Sequence, residues 1–503
     1  MQTTLQIRGL PRSLETDGWW LNGPRHDPPD TRRGSAGQRD GRDARLLALV
    51  VLVGLGDLLF WHLHGAPGGL PFALMAAALL GAAAALAGDR SGLARAGAIL
   101  GIAALPVLEQ VQALSLAFLL AGLAAAITAL HRPGKAAGEM AHAAWVFLRR
   151  WPVGGLRALA VVARDRATRP RAPVRSHCMR DALRNWALPA GGALVLLGLL
   201  AESNPVILRG LDDLLSTGRL LDELPERLCV WAGIALIAWP VLDRADAGPR
   251  PPAGAPRALP GVNAGSVLRA LWVFNGLLAV QTLTDASILL GGASLPRGMT
   301  LAEYTHRGAY PLLVAAVLAG LFALAAQPFL AERRVLRPLM YLWLAQNVLV
   351  CLAAGLRLKL YVDSYGLTLL RVHAAIWMAL VAAGLVLLAW QALRQHARGW
   401  LVLRGAGLAA AVLYACCFVN VSGLVARYNV TQAAPMGRGL DGDYLCGLGA
   451  TAAAGLAAGL DARPDVRDAL PCRIDGPRTG GWRNLGFRSW RVARYLASAE
   501  ATE

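Results

Sequence analysis

VQALSLAFLLAGLAAAITAL, residues 111–130, decides the fold: twenty residues, none of them charged, built mainly from Leu and Ala. At a rise of about 1.5 Å per residue, a helix of this length crosses the ~30 Å hydrocarbon core of a bilayer. Ten further segments read the same way: 45–63, 70–87, 94–108, 186–200, 228–242, 267–290, 309–330, 338–356, 367–390 and 401–422. The expected fold is an all-α integral membrane protein of about eleven transmembrane helices, followed by a small helical extracytoplasmic C-terminal domain. Composition agrees, because 55% of the 503 residues are hydrophobic and only 16% are charged. A soluble chain of this size rarely has that balance.

The formal charge of +18 raises the question of nucleic acid, but the basic residues form no stripe or tail. They fall between the apolar runs, as the positive-inside rule demands of cytoplasmic loops. Arg90 and Arg95, the dense set at 132–184, Arg244, Arg250 and Arg257, then Arg333, Arg334 and Arg337, and finally Arg394 and Arg398 occupy alternate intervals. The turns at 65–69 and 106–110, expected on the other side, carry neither Arg nor Lys. This places the N-terminus in the cytoplasm and the tail outside. Lys135 and Lys359 are the only lysines, and Ala, Gly and Leu abound, which suggests a GC-rich bacterial genome and hence a bacterial inner membrane. About forty-four polar residues precede the first apolar run, so no cleavable signal peptide is expected and the first span serves as export signal.

Five regions follow: a cytoplasmic arm without fixed structure (1–44), a four-helix membrane unit (45–130), a basic cytoplasmic linker (131–185), a seven-helix membrane unit (186–422) and an extracytoplasmic tail (423–503). The linker sets Trp145, Phe147, Leu148 and Trp151 beside Arg149 and Arg150, which reads first as an ordinary positive-inside loop and otherwise as an amphipathic segment lying on anionic lipid. Residues 204–227, with Asp212, Asp213, Asp222, Glu223 and Glu226, read as an amphipathic helix on the outer surface. The tail has Leu445, Leu448, Leu456 and Leu460 in helical spacing, and its last segment combines Trp482, Phe487, Trp490 and Tyr495 with Arg483, Arg488, Arg491 and Arg494. That segment is suited equally to the membrane, to a partner, or to its own domain. Cys446 and Cys472 are the tail's only cysteines and the candidate disulfide of an oxidising compartment. The seven cysteines show no CxxC or His/Cys ligand spacing, so no metal and no cofactor is expected.

Ionisable residues in or beside a span are costly and therefore candidates for function. Asn275, Thr282 and Asp285 share one helical face of the seventh span. Gln346 and Arg357 do the same in the ninth. Glu303, Tyr304, His306 and Arg307 form the densest titratable cluster, and the turn after the ninth span supplies Lys359, Tyr361, Asp363 and Tyr365, followed by Arg371. The orientation gathers these residues at the outer leaflet boundary. There they either bind an anionic lipid or glycan precursor or form ion pairs that fix helix order. Asp57, a lone acid in the first span, reads as a buried hydrogen-bonded carboxyl with His62 and His64 as interface histidines, or else as proton-linked to them, and Glu109, Gln110 and Gln112 read as ordinary turn polarity. Asn429-Val430-Thr431 matches a glycosylation triplet of the kind that arises by chance.

Asp285, Leu295-Pro296, Ala302-Glu303-Tyr304, His306-Arg307-Gly308 and Tyr310 form one ordered set. Tyr361, Tyr365-Gly366-Leu367-Thr368 and Arg371 form a second, and Tyr428-Asn429-Val430, Leu440-Asp441 and Asp443-Tyr444-Leu445 a third. From about residue 186 to the C-terminus the chain thereby resembles bacterial multi-spanning membrane proteins catalogued as a domain of unknown function. Leu301 stands where their hallmark has a tyrosine. Some relatives are labelled sensor kinases, yet this sequence has no nucleotide-binding glycine pattern and no cytoplasmic segment long enough for a catalytic domain. The resemblance implies no reaction.

The leading expectation is a non-enzymatic transporter or envelope-lipid-binding component using the outer polar residues, with the bilayer and its anionic lipids as partners and no nucleic acid. The alternatives are a transferase acting on a lipid-linked substrate, with Glu303 or His306 as general base, and a structural or sensory scaffold.

Overall fold

The structure, a computed structural model, describes residues 31–60, 68–87, 90–132, 137–168, 217–243, 263–289, 301–432, 440–470, 476–477 and 481–500. Among these residues there is no strand. In chain order the helices are α1 (Thr31–Phe60), α2 (Gly69–Leu86), α3 (Leu93–Glu109), α4 (Ala113–His131), α5 (Ala137–Thr168), α6 (Thr217–Leu242), α7 (Ala264–Leu289) and α8 (Leu301–Ala326). They continue with α9 (Leu336–Tyr365), α10 (Leu369–Arg394), α11 (Arg398–Cys416), α12 (Val421–Gln432), α13 (Gly442–Cys446), α14 (Ala453–Ala462) and α15 (Phe487–Glu500).

Among the described residues, seven helices are long and apolar enough to cross a membrane: Gly69–Leu86, Ala113–His131, Leu224–Leu242, Ala264–Ile288, Leu336–Tyr365, Leu369–Arg394 and Gly399–Cys416. The chain is a multi-pass helical membrane protein. The expected segment 186–200 lies outside the described residues. Three other expected spans fall on helices outside those seven: α1, the 17-residue α3 with its internal Pro106, and α8, whose apolar part is Val314–Phe329. α1 begins at Thr31, within the segment expected to be an arm, and α6 runs unbroken from Thr217, through Pro225, into the apolar stretch. The acidic segment expected as a separate surface helix is therefore, from Thr217 onward, the first part of a spanning helix.

The chain divides into two compact units. The first contains residues 1–57, 81–88 and 151–245. Here α1 and α6 run antiparallel, tied near both ends. Arg45 Nη1 meets Asp243 Oδ1 at 3.1 Å, while Asp57 accepts from Arg227 and, at 2.8 Å, from Trp231 Nε1. The Arg227 guanidinium also lies 5.6 Å from the Trp231 ring centre. Asp57 is thus the hydrogen-bonded carboxyl expected from sequence, with its partners on α6. α5 packs on the same helix: Trp151 Nε1 donates to Ile237 O at 2.8 Å, and a Cβ on Gly155 would sit 2.6 Å from Leu236 O. Without a hydrophobic drive between helices in lipid, small residues and interhelical hydrogen bonds supply the association.

The second unit contains residues 58–80, 89–150 and 246–503. α3 and α4 form a hairpin packed through Ala96, Leu100, Ala103, Val107, Leu119, Leu123, Ala126 and Ile127. Its turn is closed by Ser115, whose Oγ accepts from Gln112 N and donates to Gln110 O at 2.7 Å. α11 joins this hairpin through Tyr414, which donates to Ile102 O at 2.7 Å and meets Phe118 edge-on. Farther along, α9 is the central helix, in contact with α7, α8 and α10. Phe274, Phe322 and Trp343, one from each of α7, α8 and α9, lock together with centroids 5.3–6.0 Å apart.

The tail is built onto this unit. Val425, Ala426, Val430, Leu445, Leu448, Ala452 and Leu456 form a core that also takes in Leu367, Leu369 and Val372 of the α9–α10 turn. The leucines expected on one helix are divided among α13 (Leu445), the turn after it (Leu448) and α14 (Leu456 and Leu460), because Gly449 (φ 80°) turns the chain between the two helices. α14 closes on α12 where a Cβ on Gly455 would sit 2.1 Å from Gly423 O, so only glycine fits there. Cys446 is disulfide-bonded, and Cys472, its expected partner, lies outside the described residues.

Candidate polar site between α7 and α9

α7 presents Leu271, Asn275, Leu278, Thr282 and Asp285 to its neighbours and leaves Trp272, Val273, Leu277, Val280 and Leu283 exposed, as a helix facing lipid on one side should. The polar face read from the sequence does point into the bundle. α9 turns Gln346, Asn347 and Arg357 inward in the same period as Met340, Leu344 and Ala354.

At the centre, the Arg357 guanidinium donates from Nη2 to Asp285 Oδ1, with both side chains less than one-twentieth exposed. Gln281 Nε2 adds a 2.9 Å hydrogen bond to the same oxygen. Removing two charges from water costs several kcal/mol per ion, recovered only through close geometry and additional hydrogen bonds. The pair is therefore interdependent: removing either side chain takes from the other a close, buried partner of opposite charge.

Deeper along α7, Asn275 Nδ2 donates to Leu271 O at 2.8 Å and across to Leu339 O of α9 at 3.1 Å. Asn347 returns a bond to Trp343 O at 2.8 Å, and Thr282 to Leu278 O. Asn275 Oδ1 and Gln346 Oε1 are buried without a hydrogen-bond partner among the described residues. This α7–α9 seam therefore has spare acceptors as well as an ion pair.

The remaining candidates lie toward the end of α9. Arg357, Tyr361 and Tyr365 recur every four residues on one face, passing from buried to exposed. The Arg371 guanidinium sits 4.2 Å from the Tyr361 ring centre and donates to Tyr365 O at 3.0 Å and to Gly366 O. These carbonyls end α9 and have no intrahelical partner, so Arg371 caps the helix. Lys359 and Asp363 form an exposed i,i+4 pair at 3.2 Å. Glu303, Tyr304, His306 and Arg307 are on the first turns of α8, and their side chains lie outside the described residues.

The second and third motif sets meet. Asn429 Oδ1 accepts from Leu367 N at 2.8 Å while its Nδ2 donates to Leu367 O at 2.7 Å. Leu369 N donates to the Tyr444 hydroxyl at 2.9 Å, and Asp441 caps α13 through Tyr444 N. The asparagine of the glycosylation-like triplet thus has its amide fully engaged by a backbone. Among the described residues no three His, Cys, Asp or Glu side chains group as a metal site would require.

A family model described as a domain of unknown function, DUF4153, matches residues 74–459. The chain belongs to this DUF4153 family. No curated protein and no solved structure matches it. The DUF4153 match begins well before residue 186, taking in α3 and α4, and ends within α14 rather than at the C-terminus. Asp285, Arg357, Arg371 and Asn429 all fall inside the DUF4153 segment, whereas α15 falls beyond it.

Sequence reasoning missed an arrangement that joins the DUF4153 segment to α15. Glu109, read as turn polarity, accepts from Arg488 Nε at 3.1 Å and from Arg491 Nη2. Arg488 also donates to Gln110 Oε1 and, at 2.7 Å, to Cys417 O. Arg488 and Glu109 are each buried. The available signal was periodicity: Arg488 shares a face with Val492 and Leu496, whereas Arg494 falls on another side.

Proposed function

We propose that this membrane protein binds an anionic ligand, an envelope-lipid headgroup or a comparable solute, along the column from Asp285 to Tyr365, as a transporter or a lipid-binding envelope component and not as an enzyme. The supporting observation is the buried Asp285–Arg357 pair at the inner end of a face that opens through Tyr361 to exposed Tyr365. A guanidinium offers a planar fork of donors suited to phosphate or carboxylate. An incoming anion would share that fork with Asp285, so Arg357 stays compensated while the ligand is bound.

The orientation belongs to the same proposal: eleven spans, the N-terminus cytoplasmic and the tail extracytoplasmic in a bacterial inner membrane. It is supported by the tail's contacts, since Arg483 bonds to Leu58 O and to Gly68 N, and Arg488 bonds beside the α3–α4 turn and the end of α11. The arginine pattern assigns all these helix ends to one side. A reporter fused at Glu503 that is active only in the cytoplasm would overturn the orientation.

Native mass spectrometry of the purified chain tests the ligand. Wild type is expected to retain one anionic phospholipid more than Arg357→Gln through delipidation, while Asp285→Asn, freed of the competing carboxylate, retains as many as wild type. Equal retention by all three proteins removes the proposal.

A further inference from the structure

α15 has two chemically distinct faces, one buried in the molecule and one exposed, with half-exposed Arg491 at their border still reaching Glu109. The inner face carries Arg488 and Val492, both buried, with Arg488 tied to Glu109, Gln110 and Cys417 O. The preceding turn is fixed too, through Arg483 O to Gly68 N and Arg483 Nη1 to Leu58 O. These anchors sit at the ends of three membrane-crossing candidates: the start of Gly69–Leu86, the start of Ala113–His131 and the end of Gly399–Cys416.

The outer face carries Phe487, Trp490, Arg491, Arg494 and Tyr495, spaced i, i+3, i+4, i+7 and i+8. All five are exposed. Phe487 and Trp490 stack at 5.7 Å, with the Arg491 guanidinium 4.9 Å from Phe487 and the Arg494 guanidinium 5.3 Å from Trp490. Trp482 and Leu485, also exposed, continue the apolar surface before the helix. A soluble surface gains nothing from holding three aromatic rings in water.

We propose that this outer face is an interfacial anchor that binds the headgroups of anionic phospholipids. Three features favour lipid. The helix is fixed where spans end, which is the headgroup level. Trp and Tyr rings prefer that layer. Arg494 offers positive charge to phosphates, with half-exposed Arg491 beside it shared with Glu109, whereas α15 presents no exposed acid between Phe487 and Ser498. The anchor is separate from the Asp285–Arg357 column and does not depend on it.

The test uses the full chain in nanodiscs of phosphatidylcholine alone or mixed with phosphatidylglycerol, each doped with a headgroup-photoreactive analogue of the same lipid. Crosslinks to residues 487–495 are expected to be at least fivefold more frequent with phosphatidylglycerol, since each arginine near an anionic surface is worth a factor of about five. The variant Trp490→Ala/Arg494→Gln, which leaves Arg488 and Glu109 in place, should lose most of them while backbone exchange at 488–493 stays slow. Equal crosslinking in both lipid mixtures overturns the proposal, as does crosslinking that survives in the variant. Protection of this face from exchange in detergent, without crosslinks in nanodiscs, would assign it to a protein partner and also overturn it.

Discussion

Arg488 donates from Nε to Glu109 Oε1 at 3.1 Å across 379 residues of chain, and both side chains are about one-twentieth exposed. This pair fixes α15 to the C-terminal end of α3. Truncating it to Arg488→Ala strands a buried carboxylate, which ordinarily costs about 3–5 kcal/mol. Arg491 still contacts Glu109, so about 3 kcal/mol is expected. Thermal unfolding in detergent measures the loss, and limited proteolysis should cut α15 from the variant first. An unchanged melting curve would mean that the helix does not hold the unit together.

The Asp285–Arg357 pair allows stability to be separated from function. Asp285→Ala or Arg357→Ala alone should destabilise by about 3–5 kcal/mol, because each leaves a buried charge. The double variant Asp285→Leu/Arg357→Met should recover most of that, since apolar replacements of a buried pair are often neutral or better. It should nevertheless retain one anionic lipid fewer than wild type. A stable double variant that retains as many as wild type would reduce the pair to a packing device.

In the α1–α6 pair, exposure decides which of two similar contacts matters. Arg45 and Asp243 are 37% and 52% exposed, whereas Arg227 and Asp57 are 22% and 17%. Arg45→Ala should change stability by less than about 1 kcal/mol. Asp57→Ala, which strips Arg227 and the Trp231 indole of their shared acceptor, should cost roughly 2–3 kcal/mol. Comparable effects from the two substitutions, read by thermal melting at equal salt, would contradict this ranking.

The sequence revealed faces but not partners. Composition and periodicity located the apolar helices and put Asn275 with Asp285, and Gln346 with Arg357, on single faces, because a helix repeats every 3.6 residues whatever it packs against. That Asp285 meets Arg357, 72 residues away, depends on helix order and tilt, which periodicity does not encode. Glu109 was misread for the same reason, since its partner lies in the last helix. Residue type alone places Arg371 and Tyr361 among the polar candidates, but not the stacking of one on the other or the carbonyl at the end of α9 that Arg371 meets. Tail leucines 445–460 kept helical spacing across a break that a single positive-φ glycine creates.

The α9–α10 turn carries the final prediction. Gly366 has φ 83° and ψ 174°, a region that a side chain enters at a cost of about 1–3 kcal/mol. Asn429 satisfies both the N–H and the carbonyl of Leu367 next to it, and Tyr444 takes the N–H of Leu369. Asn429→Ala therefore leaves two half-buried backbone groups unmet, and Asn429→Asp keeps the acceptor while losing the donor. The expected order of destabilisation is Asn429→Ala above Asn429→Asp, with Gly366→Ala comparable to the former at roughly 2 kcal/mol. Hydrogen exchange at the Leu367 and Leu369 amides should quicken in all three variants, because the tail core shares Leu367, Leu369 and Val372 with this turn. If exchange quickened only at Leu367, the turn and the tail would not be one cooperative unit.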